Sequence, residues 1–513
     1  MSPDFGSFVS ILGATLSYWW VILPATLLGV MVGAIPGFSA ANTIIVLLPL
    51  TLTMEPVTAM IFMVALYTSS RLGAGIPAIL VNIPGTAGAA ATPLDGYPMT
   101  TSGRGQQALA ISFVSSVLGG LITTVAALML IPWLSRVAFH LHSVEMIVVM
   151  LFGISLIATI SAADTIKGLI AGFFGLMLGY IGADVVYETP RGTFGFLELY
   201  DKVPLIPALV GLFAISEAFV IIERKTIVSK GANSVEKRSW EATFEGIWQT
   251  LREWKEIVWT SLLGLFIGVI PGAGAAIASF VAYQQSKLFS RTPEKYGTGH
   301  VNGLIAPESA NNGVTSGTLV PLLIIGVPGG ATAAIMAVVL EYHGIQFGPE
   351  LFEEQPMIAY GSFTAMAITY LVLGLLIFPL TRYMSSVVVV PTVYMVPILI
   401  AFTLIGSFVP RAYVFDIGVA LVFGVIGYIA RKTGYHVAAI LIGVILGPLL
   451  ENYFLRALRI SQGDLMVLFS STIGNVLWVL LVLSLILPMV RQRFAKQGAI
   501  AQQSSSTIED EKP

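Results

Sequence analysis

Apolar stretches as long as a lipid bilayer is thick constrain this chain more than any other feature. Leu16 to Ile35, Ile111 to Ile131, Met146 to Ile160 and Leu465 to Val490 are examples. Crossing the hydrocarbon core takes about 20 mostly apolar residues. No water is present there to satisfy backbone N–H and C=O groups, so such blocks must be helical. Composition agrees. Of the 513 residues, 56% are hydrophobic and 11% charged, against about 25% charged in ordinary soluble domains. The mean hydropathy is +0.86. The sequence predicts an all-α polytopic membrane protein of roughly 12 transmembrane helices, with some blocks short enough to be re-entrant or broken.

Several function classes fall away. There are no cysteines, which removes disulfides, thiolate metal sites and cysteine nucleophiles. The net charge of −2 and the lack of a basic stripe with interleaved aromatics give no reason to expect nucleic acid. No GxxxxGK[ST] run is present to power the chain by ATP, and no HExxH or GxSxG motif marks an enzyme. The five histidines show no metal-ligand spacing. The start, MSPDFGSFVS, lacks the basic region and cleavage site of a signal peptide, so the first apolar block is expected to stay in the membrane.

One polar interruption divides the chain. Glu223 to Glu256 carries Arg224, Lys225, Lys230, Lys237, Arg238, Arg252 and Lys255, and the positive-inside rule places it in the cytoplasm. The tail opens with Arg491, Arg493 and Lys496 and reads the same way. The expected organisation is a first transmembrane repeat over 1–223, a cytoplasmic basic linker over 224–256 and a second repeat over 257–464. An extra helix over 465–490 and a disordered cytoplasmic tail over 491–513 complete it. An outside N-terminus would give the first half an odd number of crossings.

The halves repeat. Gly29 to Ala41 reads GVMVGAIPGFSAA and Gly264 to Ala276 reads GLFIGVIPGAGAA, identical at seven of thirteen positions. Downstream, Gly73 to Gly85 (GAGIPAILVNIPG) matches Gly317 to Gly329 (GTLVPLLIIGVPG). With an odd helix count per half, the repeats are expected in inverted topology, an architecture of secondary transporters.

Each repeat carries two Pro-Gly breaks in apolar sequence: Pro36-Gly37, Pro84-Gly85, Pro271-Gly272 and Pro328-Gly329. Breaking a helix in lipid is expensive unless the freed groups line a cavity. Paired breaks at matching positions of two repeats point to a transport site; the bland alternative is a set of close-packing kinks. Freed amides suit anions and freed carbonyls suit a cation. The candidate substrate contacts are Asn82, Gly85, Thr86, Ser309, Asn311, Asn312, Thr315, Gly329 and Thr332. The candidate coupling-ion positions, a Na+ site among the options, are Pro36, Gly37, Ser39, Asn42, Pro271, Gly272, Gly274 and Glu308. Glu308, in the run PESANNG, is the strongest intramembrane acid. It could carry a proton, help bind a cation or pin a helix break. Asp95, Glu217 and Asp416 read as capping or solvated acids near span ends. Arg71 stands beside the first-repeat break, where it could attract a carboxylate or snorkel to the interface.

At these residues the sequence resembles the TctA family, the large membrane subunit of bacterial tripartite tricarboxylate transporters. The resemblance rests on GAIPGFSAAN (33–42), IPAILVNIPGTAGAAATPLDGYPM (76–99), PRGTFGFLELYDKVPLIPALVGLFAISE (190–217), GVIPGAGAAIASFVAY (268–283), GHVNGLIAPESANNG (299–313) and LIIGVPGGATAAI (323–335). It departs at Arg71, with Ser69 and Ser70, where small residues are expected, and at Gly330. The resemblance implies a non-enzymatic, multi-pass protein of the bacterial inner membrane, without a cofactor. It would import di- or tricarboxylates by alternating access, driven by Na+ or H+. It also implies two partners, a small membrane subunit (TctB-like) and a periplasmic solute-binding protein (TctC-like). A gradient-independent channel or a non-transporting scaffold is the alternative.

Overall fold

A computed structural model describes residues 5–35, 39–160, 165–183, 189–223, 240–270, 274–383 and 392–483. In the first half, α1 (Phe5–Leu16) bends into α2 (Trp19–Gly33), followed by α3 (Ala40–Val46) and α4 (Leu48–Thr53). Then come α5 (Pro56–Gly73), α6 (Gly75–Val81), α7 (Pro93–Thr101), α8 (Gly105–Ala138), α9 (Ser143–Ile160) and α10 (Thr165–Gly179). A two-residue antiparallel pair, β1 (Gly182–Ala183) with β2 (Pro190–Arg191), leads into α11 (Leu205–Val210). A π turn joins α11 to α12 (Ser216–Glu223).

The second half opens with α13 (Trp240–Arg252), α14 (Trp254–Val269), α15 (Gly274–Phe289), α16 (Val301–Ile325) and α17 (Ala331–Tyr342). It continues through α18 (Leu351–Glu354), α19 (Pro356–Tyr383), α20 (Thr392–Phe408), α21 (Val414–Thr433) and α22 (Val437–Ile460) to α23 (Thr472–Leu483).

Among the described residues, six helices are long and apolar enough to cross a membrane, or seven if the bent pair α1–α2 counts as one span. That is fewer than the roughly 12 expected from block length. Apolar length does not distinguish a span from two half-helices. The apolar residues 40–53 form two short helices, α3 and α4. The blocks near 257–289 are two helices of 16 residues each, α14 and α15. The apolar residues 303–341 divide into α16 and α17. The 465–490 block begins as a 3-10 turn, Leu465–Phe469, before α23; residues 484–490 lie outside the described chain, as do the tail and 224–239 of the basic linker.

α16 is the axis of the fold. Every residue from Gly303 to Ile324 is buried, PESANNG included. α8, α14 and α15 pack around it, while α2 and α19 pack on α5. The packing keeps its form when elements of the two halves are exchanged. α14 on α16 answers α2 on α5, and α8 on α16 answers α19 on α5. α10 on α22 answers α21 on α11 and its π turn, and α9 on α10 answers α20 on α21.

Glycines hold the paired interfaces close. A side chain at Gly29 or Gly33 would run into α5, and one at Gly264 or Gly268 into α16. Close backbone approach through small residues is how helices associate where both sides are equally apolar.

Candidate functional site

The helix breaks are built alike. α6 ends at Asn82 with φ 59° and α16 at Gly326 with φ 72°, the left-handed conformation common at helix C-termini. The two residues match in the repeat. Ile83 N–H donates to the Pro77 carbonyl (3.3 Å) and Val327 N–H to the Pro321 carbonyl (3.3 Å). Gly85 N–H then reaches the Ala74 carbonyl (3.1 Å), as Gly329 N–H reaches Thr318 (3.3 Å). Each chain turns back along its own helix. A side chain at Gly85 would strike the Gly33 carbonyl and Ala74; one at Gly329 would strike the Gly268 carbonyl and Thr318.

The first turn-back carries Gly88 to a polar centre between the halves. There Arg71 Nη1 donates to Asn311 Oδ1 (2.9 Å) and Nη2 to the Tyr67 hydroxyl (2.9 Å). The guanidinium carbon lies 5.0 Å from the centroid of the Tyr67 ring. The Tyr67 hydroxyl in turn meets Thr318 Oγ1 (3.2 Å). A methyl group on Gly88 would collide with Asn311 Oδ1, Arg71 Nη1 and Ala275. Arg71 is half-buried, and among the described residues no acid pairs with it. Asn311 Nδ2 is buried with no partner, as is Thr86 Oγ1.

A charged side chain at membrane depth costs about 3 kcal/mol on insertion scales. Arg71 is turned inward onto Tyr67 and Asn311, so the snorkelling alternative does not hold. A fixed guanidinium fork with spare donors and an unused amide N–H beside it is an arrangement suited to a carboxylate.

Glu308 stands one turn before Asn311 on α16 and is fully buried. Its Oε1 accepts from Thr92 Oγ1 (2.5 Å) and its Oε2 from Ser116 Oγ (2.9 Å). Ser112 and Gly75 close the space around it. No basic side chain pairs with it among the described residues. Thr92 closes the same turn-back that carries Gly88, so one segment touches both Glu308 and the Arg71–Asn311 pair.

The remaining expectations divide. Asn312 has its own partners: its Nδ2 donates to the Glu308 carbonyl (3.1 Å), and the Tyr370 hydroxyl donates to its backbone oxygen (3.3 Å). Ser309 donates to the Ser115 carbonyl (3.3 Å). Asn82 is exposed at the end of α6. Thr315 is buried one turn beyond Asn311, and Thr332 is buried in the first turn of α17. Ser39 caps α3, its hydroxyl accepting from Asn42 N–H (3.2 Å), while Asn42 Oδ1 is buried without a partner. Gly274 opens α15 at φ 68°. Pro36, Gly37, Pro271 and Gly272 lie outside the described residues.

Of the weaker acids, Asp416 pairs with Arg411 (2.7 Å) and Glu217 with Arg431 (2.6 Å), as structural ion pairs. Asp95 is fully buried. Its Oδ1 accepts from the N–H groups of Gly297 (2.9 Å), Gly299 (2.8 Å) and His300 (2.7 Å). Its Oδ2 accepts from the Tyr283 hydroxyl (2.9 Å). It therefore anchors the loop that starts α16, a role that spacing gave no sign of.

The family profile described as "Tripartite tricarboxylate transporter TctA family" matches residues 20–442. Among curated proteins, the "Uncharacterized 52.8 kDa protein in TAR-I ttuC' 3'region" of Agrobacterium vitis is 32% identical over 452 residues, covering 87% of this chain and 88% of that protein. The "Uncharacterized protein in TAR-II ttuC' 3'region" of the same organism is 33% identical over 233 residues, 45% of this chain and 96% of that protein. No solved structure matches.

Proposed function

The chain belongs to the TctA family of tripartite tricarboxylate transporters, and from that premise we propose that it imports di- or tricarboxylates, citrate-like anions first, in exchange for energy stored in a Na+ or H+ gradient. The observation that carries this reading is the inward-turned Arg71, free of any acid partner among the described residues and hydrogen-bonded to Asn311 at 2.9 Å. A carboxylate there would accept from the guanidinium and from the unused Asn311 Nδ2.

Glu308 is the proposed coupling site. A buried carboxylate with only hydroxyl donors is costly to leave charged, so it would take up a proton or, with Thr92 and Ser116, a Na+ ion. The exchangeable packing of the two halves supports inverted-topology repeats with the breaks near the midplane. Alternating access would follow from the paired hairpins moving against the long helices. By family, a small membrane subunit and a periplasmic binding protein of the bacterial inner membrane system would be its partners.

Equilibrium binding of radiolabelled citrate, tartrate and succinate to the purified chain tests the anion site. Saturable binding of at least one of them is expected, weakened roughly 10- to 100-fold in Arg71→Gln. Binding unaffected by Arg71→Gln would overturn this reading. Flux that ignores any imposed gradient would favour a channel.

A further inference from the structure

α13 has three faces. Thr243, Gly246 and Thr250 are buried; Thr243 accepts from Gln106 Nε2 (2.9 Å) and Gln249 from Gln107 Nε2 (2.9 Å). Beside that face runs a stripe of Trp240, Phe244, Trp248 and Leu251, with Phe244 and Trp248 each 58% exposed. Beyond it lie Glu241, Glu245 and Arg252, all exposed. Spacings of four, four and three residues put the stripe on one side of the helix.

Two candidate spans fix the level of α13. It crosses the start of α8 at Gln106, Gln107 and Ala110. It also meets the last turns of α19, where Phe244 lies 5.1 Å and Trp240 6.2 Å from Phe378, ring to ring. A helix laid across the ends of two spans sits where hydrocarbon gives way to water. The stripe continues into Leu375 of α19, which is 81% exposed. Three tryptophans here carry a cation over the ring: Arg382 over Trp240 (4.7 Å), Arg252 over Trp248 (5.2 Å) and Lys255 over Trp254 (5.8 Å). Indole beneath and cation above suits the boundary between acyl chains and headgroup phosphates.

We propose that α13 is an in-plane membrane helix, its aromatic stripe immersed in phospholipid and its Arg252, Lys255 and Arg382 placed at headgroup phosphates. The occupant of the stripe is lipid and not a second protein, because the stripe runs on into a span face and is bordered by cations suited to phosphate.

The absence of cysteine makes the test clean. Spin labels are attached at Phe244→Cys, Trp248→Cys and Glu245→Cys in the full chain, held in phosphatidylglycerol–phosphatidylcholine nanodiscs. Labels at 244 and 248 should collide with oxygen more than with a water-soluble nickel chelate, and the label at 245 should show the reverse. Nickel access at 244 equal to that at 245 would put the stripe in water. Protection from both reagents would mean a protein cover, a second copy or another subunit. Either result overturns the proposal. Should a label disturb folding, quenching of tryptophan fluorescence by brominated acyl chains provides the second reading. The quenched fraction should fall in the Trp240→Phe, Trp248→Phe double variant, and an unchanged fraction rejects lipid contact.

Discussion

Arg71 Nη1 donates to Asn311 Oδ1 at 2.9 Å, tying the end of a first-half helix to the middle of the second half's central helix. Hydrogen bonds to charged groups contribute about 1.5–3 kcal/mol each. Arg71→Gln should therefore weaken carboxylate binding by roughly 10- to 100-fold. Arg71→Lys should recover part of it, since the charge stays but the fork is lost. Equilibrium binding measures both.

Glu308→Gln keeps the shape of the group but not its ability to take up a proton or ligate a cation. Gradient-driven accumulation should be lost, while exchange of labelled for unlabelled substrate across vesicles at equal ion concentrations should persist. Thr92→Val, which removes one hydroxyl from Glu308, should weaken the dependence on the ion without abolishing it. Ion titrations of uptake by the two variants distinguish these outcomes.

The matched breaks predict matched penalties. Gly85→Ala and Gly329→Ala each force a methyl onto a neighbouring backbone, and overpacking of this kind costs about 1–3 kcal/mol. Both should lower the thermal midpoint of the purified chain. Gly418, on α21, faces open space, and Ala there should be neutral or slightly stabilising, because helical glycine is about 0.5–1 kcal/mol worse than alanine.

Asn311 and Asn312 are adjacent in sequence and differ in their partners, Asn311 meeting Arg71 and Asn312 the Glu308 carbonyl. Asn311→Ala should cut substrate affinity. Asn312→Ala should leave affinity near the parent value and lower stability, because Asn312 is bound to the Glu308 carbonyl and to Tyr370. Parallel binding and melting curves separate the two.

His300 caps α16, its Nδ1 accepting from Asn302 N–H (3.2 Å), and its ring stacks on Tyr296. Burial holds its imidazole below the usual range, against an opposing pull from Asp95. A folded-state value below the unfolded one means the unfolded chain binds the proton more readily. Stability is thus full above the unfolded value and declines as the pH falls through it. Thermal melts between neutral and mildly acidic pH should show that decline in the parent and less of it in His300→Asn, which keeps a capping side chain.

The sequence carried the membrane class and the matched breaks at Pro84-Gly85 and Pro328-Gly329, because proline, glycine and apolar length act locally. Asn82 and Gly326 share a backbone conformation that the alignment of the two Pro-Gly motifs had already paired. The inward turn of Arg71 was not legible, since a cation at a helix end serves lipid or ligand equally well until its neighbours are known. Its partner stands 240 residues away. Asp95 was hidden for the same reason, its ligands being N–H groups of a distant loop. Apolar length alone does not give the number of crossings, because helices such as α14, α15 and α17 are apolar yet shorter than a full span.

Uptake by proteoliposomes, made with the chain and the proposed small membrane subunit and binding protein, decides whether carboxylate flux is gradient-driven. Labelled carboxylates are offered under imposed Na+ or H+ gradients to the parent, Arg71→Gln and Glu308→Gln. Expected are gradient-driven accumulation by the parent, accumulation by Arg71→Gln only at roughly 10- to 100-fold higher substrate concentration, and exchange without accumulation by Glu308→Gln. Accumulation by Arg71→Gln at the parent's rate, or parent flux indifferent to both gradients, would contradict that expectation.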